Sequence, residues 1–154
     1  MDREVIVTIF GLHSDTGTDA AGQGQTADTE APDRESLATK VNGDYFLRNG
    51  THYVIYEEQE EGFEQTTKCT IKIKDRKLEM LRQGLLRTHM IFEEGQKHMT
   101  GYQTPYGQMV LGVETKAVRV LETENCIRTV VEYTLEADGA YLSDSKIDIT
   151  IKQK

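Results

Sequence analysis

The sequence predicts an all-β protein, an antiparallel up-and-down β-barrel of about ten strands in a single domain. Three observations carry that expectation. From Glu35 onwards, short alternating apolar and polar segments are separated by turn signals at roughly hairpin spacing. Nowhere does a long helical segment offer the crossover that parallel strands require. And from Lys97 to Leu121 the chain reads as a strand, a turn at Thr104-Pro105-Tyr106-Gly107, and a longer strand rich in β-branched residues, among them Val110, Val113, Val118 and Val120. Closing such a meander would remove both unpaired edges and give each strand one packed and one wet face, with an open sandwich of the same strands as the alternative.

The elements follow in order. Glu4 to Leu12 alternates around Val5, Val7 and Ile9 and reads as a first strand. His13 to Arg34 is rich in Gly, Thr, Asp and Ala and almost devoid of large apolar side chains, so residues 13–34 are expected to form a flexible loop insertion. Asn49-Gly50 suits a two-residue type I′ turn between Tyr45-Arg48 and Thr51-Tyr56. That turn sets a register in which Arg48 faces Thr51, Leu47 faces His52 and Tyr45 faces Val54, placing Tyr45, Leu47, His52, Val54 and Tyr56 on one face. The acidic run Glu57 to Glu61 ends at Gly62 and reads as a solvated hairpin tip. Cys69, Ile71 and Ile73 then alternate with Lys68, Thr70, Lys72 and Lys74. After the return at Lys74 to Lys77, Leu78, Met80 and Arg82 share a face, and a turn at Gln83-Gly84 leads into Leu85 to Phe92. Gly95 turns the chain towards His98 to Gln103. Cys126 to Glu136 carries Ile127, Thr129, Val131, Tyr133 and Leu135 on one face, Ala137-Asp138-Gly139 closes the next hairpin, and Ile147 to Ile151 is the last strand.

The chain has 154 residues, enough for a substantial core in one domain. Its 26 acidic against 18 basic residues give a formal net charge of −8, which argues against nucleic acid as a partner. No apolar run is long enough to span a bilayer, and the first ten residues lack a signal-peptide pattern, so no membrane association and a cytoplasmic location are expected. Cys69 and Cys126 show no CxxC spacing and are expected as reduced, packed thiols.

Gly43-Asp44-Tyr45-Phe46, Tyr53 to Glu58, the Arg82-Gln83-Gly84 turn, Gly101-Tyr102 before Thr104-Pro105-Tyr106-Gly107, and Val113-Glu114-Thr115 occur in an order and spacing that resemble the YwiB-like family of small bacterial proteins of unknown function. Glu4 to Leu12 fits its first strand, and the resemblance covers most of the chain apart from residues 13–34, a loop longer than the family pattern. It implies a calycin-type, lipocalin-like barrel and leaves the activity open.

Candidate site residues are weighed on the same period-two geometry. Arg82 would bring a guanidinium to the face of Leu78 and Met80, where it would either anchor the carboxylate or phosphate of a ligand or pair at the rim with an acidic side chain such as Glu114. His52 falls among apolar neighbours and would contact a ligand or serve as a satisfied core or rim histidine. Tyr56, Tyr102, Tyr106 and Tyr133 would either line a cavity with hydroxyls or fill the core, and Thr115 completes the ligand-binding candidates. His13, His89 and His98 do not cluster, no metal-ligand spacing is present, and no nucleophile elbow, phosphate loop or paired-His motif names an enzyme mechanism or a cofactor. The expected function is binding of a small amphiphilic or anionic molecule in the barrel interior. The alternative is a protein-interaction or structural module with a side-chain-filled barrel, working through its surface or as a homodimer.

Overall fold

The computed structural model describes residues 3–14 and 35–154. Ten strands run through them: β1 (Arg3–Ser14), β2 (Glu35–Arg48), β3 (Thr51–Gln59), β4 (Thr66–Lys74), β5 (Lys77–Gly84), β6 (Thr88–Glu93), β7 (Lys97–Thr104), β8 (Gly107–Glu122), β9 (Cys126–Ala137) and β10 (Ala140–Gln153). All pairings are antiparallel, in the order β6-β5-β4-β3-β2-β1-β10-β9-β8-β7. The result is a nearly closed barrel. The chain's first and last strands pair fully in the middle of the sheet, from Val5 with Gln153 to Ser14 with Asp144. Its two edges are β6 and β7, which meet through a single bridge between Arg87 and Gln103.

Local chemistry explains the turns. Asn49 and Gly50 take φ of 53° and 78°, as a type I′ hairpin demands, and the register places Arg48 opposite Thr51, Leu47 opposite His52 and Tyr45 opposite Val54. Asp138 and Gly139 repeat the device with φ of 51° and 87°. Gly84 ends β5 at φ 146°, hard against the backbone of Thr66 and Thr67, a position closed to any side chain. The turn that follows falls at residues 85–87, so β6 starts at Thr88 rather than at Leu85. The strand β1 extends through His13 and Ser14, held by β2 and β10 on either side, and is longer than the sequence pattern indicated. The remainder of the expected loop, residues 15–34, lies outside the described residues.

Two bulges reconcile sequence patterns that break strict alternation. In β8 the register shifts between Thr115 and Ala117, so Val113 and Val118, five residues apart, are both buried. In β10 a shift between Tyr141 and Ser143 turns Ser143, Ser145, Ile149 and Ile151 inward while Tyr141 and Leu142 stay exposed. The inward faces meet in one apolar core in which Val7, Val54, Ile71, Leu78, Phe92, Val113, Val131 and Ile149 are almost fully buried. Phe92 and Tyr133 pack edge to face across it, ring centroids 4.9 Å apart. Both cysteines are free thiols, Cys69 buried and Cys126 half-buried. Among the described residues no helix is long and apolar enough to cross a membrane.

Candidate functional site

The alternation of β3, β4 and β5 brings a polar cluster into the barrel wall near the end that carries the β3–β4 and β5–β6 turns. Register sets Cys69 opposite both Tyr56 and Arg82, and Glu58 opposite Thr67. Arg82 Nε donates to Glu58 Oε1 at 3.3 Å, with both side chains about a quarter exposed or less (25% and 21%). Burial works against the Arg82 charge, but the Glu58 carboxylate outweighs it and holds the guanidinium above its ordinary pKa. Beside them, burial, with Glu58 next in weight, pushes the Cys69 thiol up to about 12, and burial, with the neighbouring Cys69 next, likewise raises the Tyr56 phenol. Tyr133 faces the same group from β9. Its pKa is raised by burial, partly offset by a Ser145 hydrogen bond and by the Arg82 charge.

The expected partner of Arg82 was an acid such as Glu114. Glu114 is instead exposed on β8, opposite Lys97 and Thr134, and the partner is Glu58. Period-two counting from Tyr56 reaches Glu58 directly. The surrounding run of acids masked that signal, since Glu57, Glu60 and Glu61 are exposed as a hairpin tip should be.

His52 does not join this cluster. It stands opposite Ile73, four residues along β4 from the Cys69 that faces Arg82, a separation of roughly 13 Å at strand rise. There Nδ1 shares a 2.8 Å hydrogen bond with the Tyr45 hydroxyl and Nε2 lies 3.4 Å from Glu122 Oε1, so both ring nitrogens are engaged. The arrangement is that of a satisfied rim histidine. Of the remaining candidates, Thr115 is buried in β8 with its hydroxyl unpaired, Tyr102 is half-buried on β7, and Tyr106 is 86% exposed in the turn before β8.

Arg82 also lines a cleft of about 700 Å³ that crosses β5, β6, β7 and the start of β8, over the incompletely paired seam. Arg87, Thr88 and Gly101 share that lining with the apolar Leu81 and Met109. The Thr88 hydroxyl is buried and unpaired, and Arg87 is exposed with no carboxylate partner among the described residues. Asp138 is the cleft's one carboxylate, and it already accepts a hydrogen bond from Val110 N at 3.0 Å. The cleft therefore offers two guanidinium groups, one unpaired hydroxyl and an apolar flank. Among the described residues no group of three or more His, Cys, Asp or Glu side chains is placed to hold a metal ion.

A family model described as a domain of unknown function, DUF1934, matches residues 23–149. The chain belongs to this family. Among solved structures it is similar to the YwiB protein of Bacillus subtilis, with a TM-score of 0.79, 16% identity, and coverage of 99% of this chain and 93% of that one. At that identity the likeness establishes the shared barrel. No curated protein matches the sequence.

Proposed function

We propose that this barrel binds a small anionic or amphiphilic molecule, without catalysis, in the cleft over the β6–β7 seam. The supporting observation is Arg82: Glu58 engages its Nε, while its terminal nitrogens have no partner among the described residues and the residue lines the cleft together with Arg87. A guanidinium fixed on one side presents its remaining fork to a carboxylate or phosphate, and Leu81 and Met109 suit an apolar tail. Its volume of about 700 Å³ sits within the range of roughly 300–1,000 Å³ of small-molecule sites. The middle of the barrel is filled by Val54, Ile71, Leu78, Phe92 and Val131, so the site belongs at the wall and not in a central cavity. Two free thiols suit a reducing, cytoplasmic compartment.

Native mass spectrometry of protein purified from its own host tests this. A stoichiometric anionic small molecule, released on denaturation and absent from folded Arg87→Ala and Arg82→Lys variants, is the expected result. A repeated ligand-free mass overturns it.

One observation favours a second reading, an interaction module or homodimer. Met99, Met109 and Val110 are exposed on the neighbouring strands β7 and β8, and Tyr141 and Leu142 at the start of β10, which β9 separates from β8. A ligand-free dimer that dissociates in Val110→Lys would support that reading.

A further inference from the structure

The outer wall at the other end of the barrel carries a separate concentration of positive charge. Lys72, Lys74, Arg76 and Lys77 fall within six residues at the β4–β5 hairpin of a protein whose net charge is −8. Register sets Lys74 directly opposite Lys77, a like-charge pair that weakens the ladder it closes. Alternation keeps these lysines and Lys72 on the outer face, since Ile71, Ile73 and Leu78 beside them are buried in the core.

The acids nearby are already committed. Glu94 accepts from Arg76 at 3.1 Å and from the Val118 N–H at 3.0 Å. Glu93 pairs with His98 at 3.1 Å, and Glu79 lies 2.8 Å from His89 but 3.9 Å from Lys77. Lys72 and Lys74 have no carboxylate within ion-pair distance among the described residues. The Lys72 ammonium instead lies 5.7 Å from the centroid of the Tyr53 ring, on which Phe46 stacks at 4.8 Å.

The same register supplies further donors. Lys72 stands opposite Tyr53, and one step beyond His52 and Ile73 the ladder brings Lys74 beside Thr51. Two ammonium groups and two hydroxyls therefore share one patch of β3 and β4, and neither hydroxyl has a protein partner among the described residues. All four side chains, with Lys77, line a cleft of about 640 Å³ whose carboxylates sit on its β5–β6 side and at the hairpin turn. Such a set complements a compact oxyanion that carries several acceptors.

We infer that this patch binds a phosphate group, held by Lys72, Lys74 and Lys77 and by the hydroxyls of Thr51 and Tyr53. The site is independent of the cleft over the seam. Ammonium groups meet phosphate as point charges, and a bound dianion removes the repulsion between Lys74 and Lys77. Tyr53 separates the patch from a merely solvated row of lysines. Its ring, stacked on Phe46 and covered by Lys72, holds the hydroxyl in place before the anion arrives. The cleft is larger than phosphate alone needs and leaves room for an ester substituent towards Glu79 and Glu93.

The test is amide NMR of the isotopically labelled protein titrated with inorganic phosphate, with glycerophosphate, and with chloride at matched ionic strength. Both phosphates are expected to shift Thr51, Tyr53, Lys72 and Lys74 and to raise the melting temperature, and chloride to do neither. Lys74→Gln should weaken phosphate about tenfold. Tyr53→Phe, which keeps the stack and the net charge, should weaken it about three- to tenfold, the size of one hydrogen bond. Tighter binding of glycerophosphate assigns the site to a phosphate ester, and equal binding assigns it to the free anion. Shifts of the same size with chloride, or phosphate binding indifferent to Tyr53→Phe, would reduce the patch to a screened surface field and overturn the site. Shifts confined to the residues around Arg87 would overturn it too, by placing the anion in the other cleft.

Discussion

Arg82 and Glu58 reach each other across the intervening strand β4, their Nε–Oε1 contact of 3.3 Å lying above Thr67 and Cys69 in the barrel wall. Each charge makes the other tolerable in a place where neither is fully hydrated. Removing one partner leaves an uncompensated ion, whereas replacing both with apolar groups removes the difficulty altogether.

Glu58→Ala should therefore destabilise the fold by about 1–3 kcal/mol, less than a fully buried pair because both side chains retain some solvent contact. Arg82→Met combined with Glu58→Leu should cost less than Glu58→Ala alone. Urea unfolding of the three variants decides it; a double variant as unstable as the sum of its parts would contradict the argument.

Stability should fall at alkaline pH through Cys69 and Tyr56. Both pKa values are raised in the folded state, so the native chain holds its protons longer than the unfolded one. Their contribution is complete below the ordinary thiol value of 9.0 and is lost as pH climbs towards about 12. Cys69→Ala should flatten the decline in melting temperature above pH 9. At pH 8 iodoacetamide should label Cys126 well before Cys69, since the buried thiol stays protonated.

Gly84→Ala should cost about 2–4 kcal/mol, because alanine at φ 146° is strained and its methyl would press on the Thr66 carbonyl and the Thr67 backbone. Gly101→Ala, by contrast, should be neutral within about 0.5 kcal/mol. Denaturation midpoints of the pair give a direct comparison of two strand glycines, one hard against backbone and one facing open space.

In the ligand-free protein, the seam amides of His89, Ile91, Met99 and Gly101 should exchange faster than those of Thr88 and Met90, which face β5. Hydrogen exchange at single-residue resolution reads this, and equal protection of the two sets would mean that the barrel is sealed.

Most of the barrel was legible because strand geometry repeats every two residues. Asn49-Gly50 fixed a hairpin register residue by residue, and Cys69, Ile71 and Ile73 declared their inward face unaided. Local patterns ceased to help where two elements had to be set against each other. Arg82 and His52 point inward on the same sheet, yet only the β3–β4–β5 register shows that they belong to opposite ends. Glu58 was hidden because its neighbours in sequence are solvated acids, and a charged side chain among others carries no mark of its own burial. The seam itself leaves no sequence signal, since β6 and β7 are as alternating as strands that pair.

The placement of β1 beside β10 has a consequence for how the chain can assemble. Among the described residues every other ladder joins strands consecutive in sequence, whereas Val5 must find the distant Gln153. During synthesis one whole edge of β1 stays unsatisfied until the last strand appears, and nine strands wait on the tenth. Cooperativity should therefore reside in that central junction, so that a lesion in β10 is felt as failure to fold, while one at the β6–β7 edges leaves the junction intact.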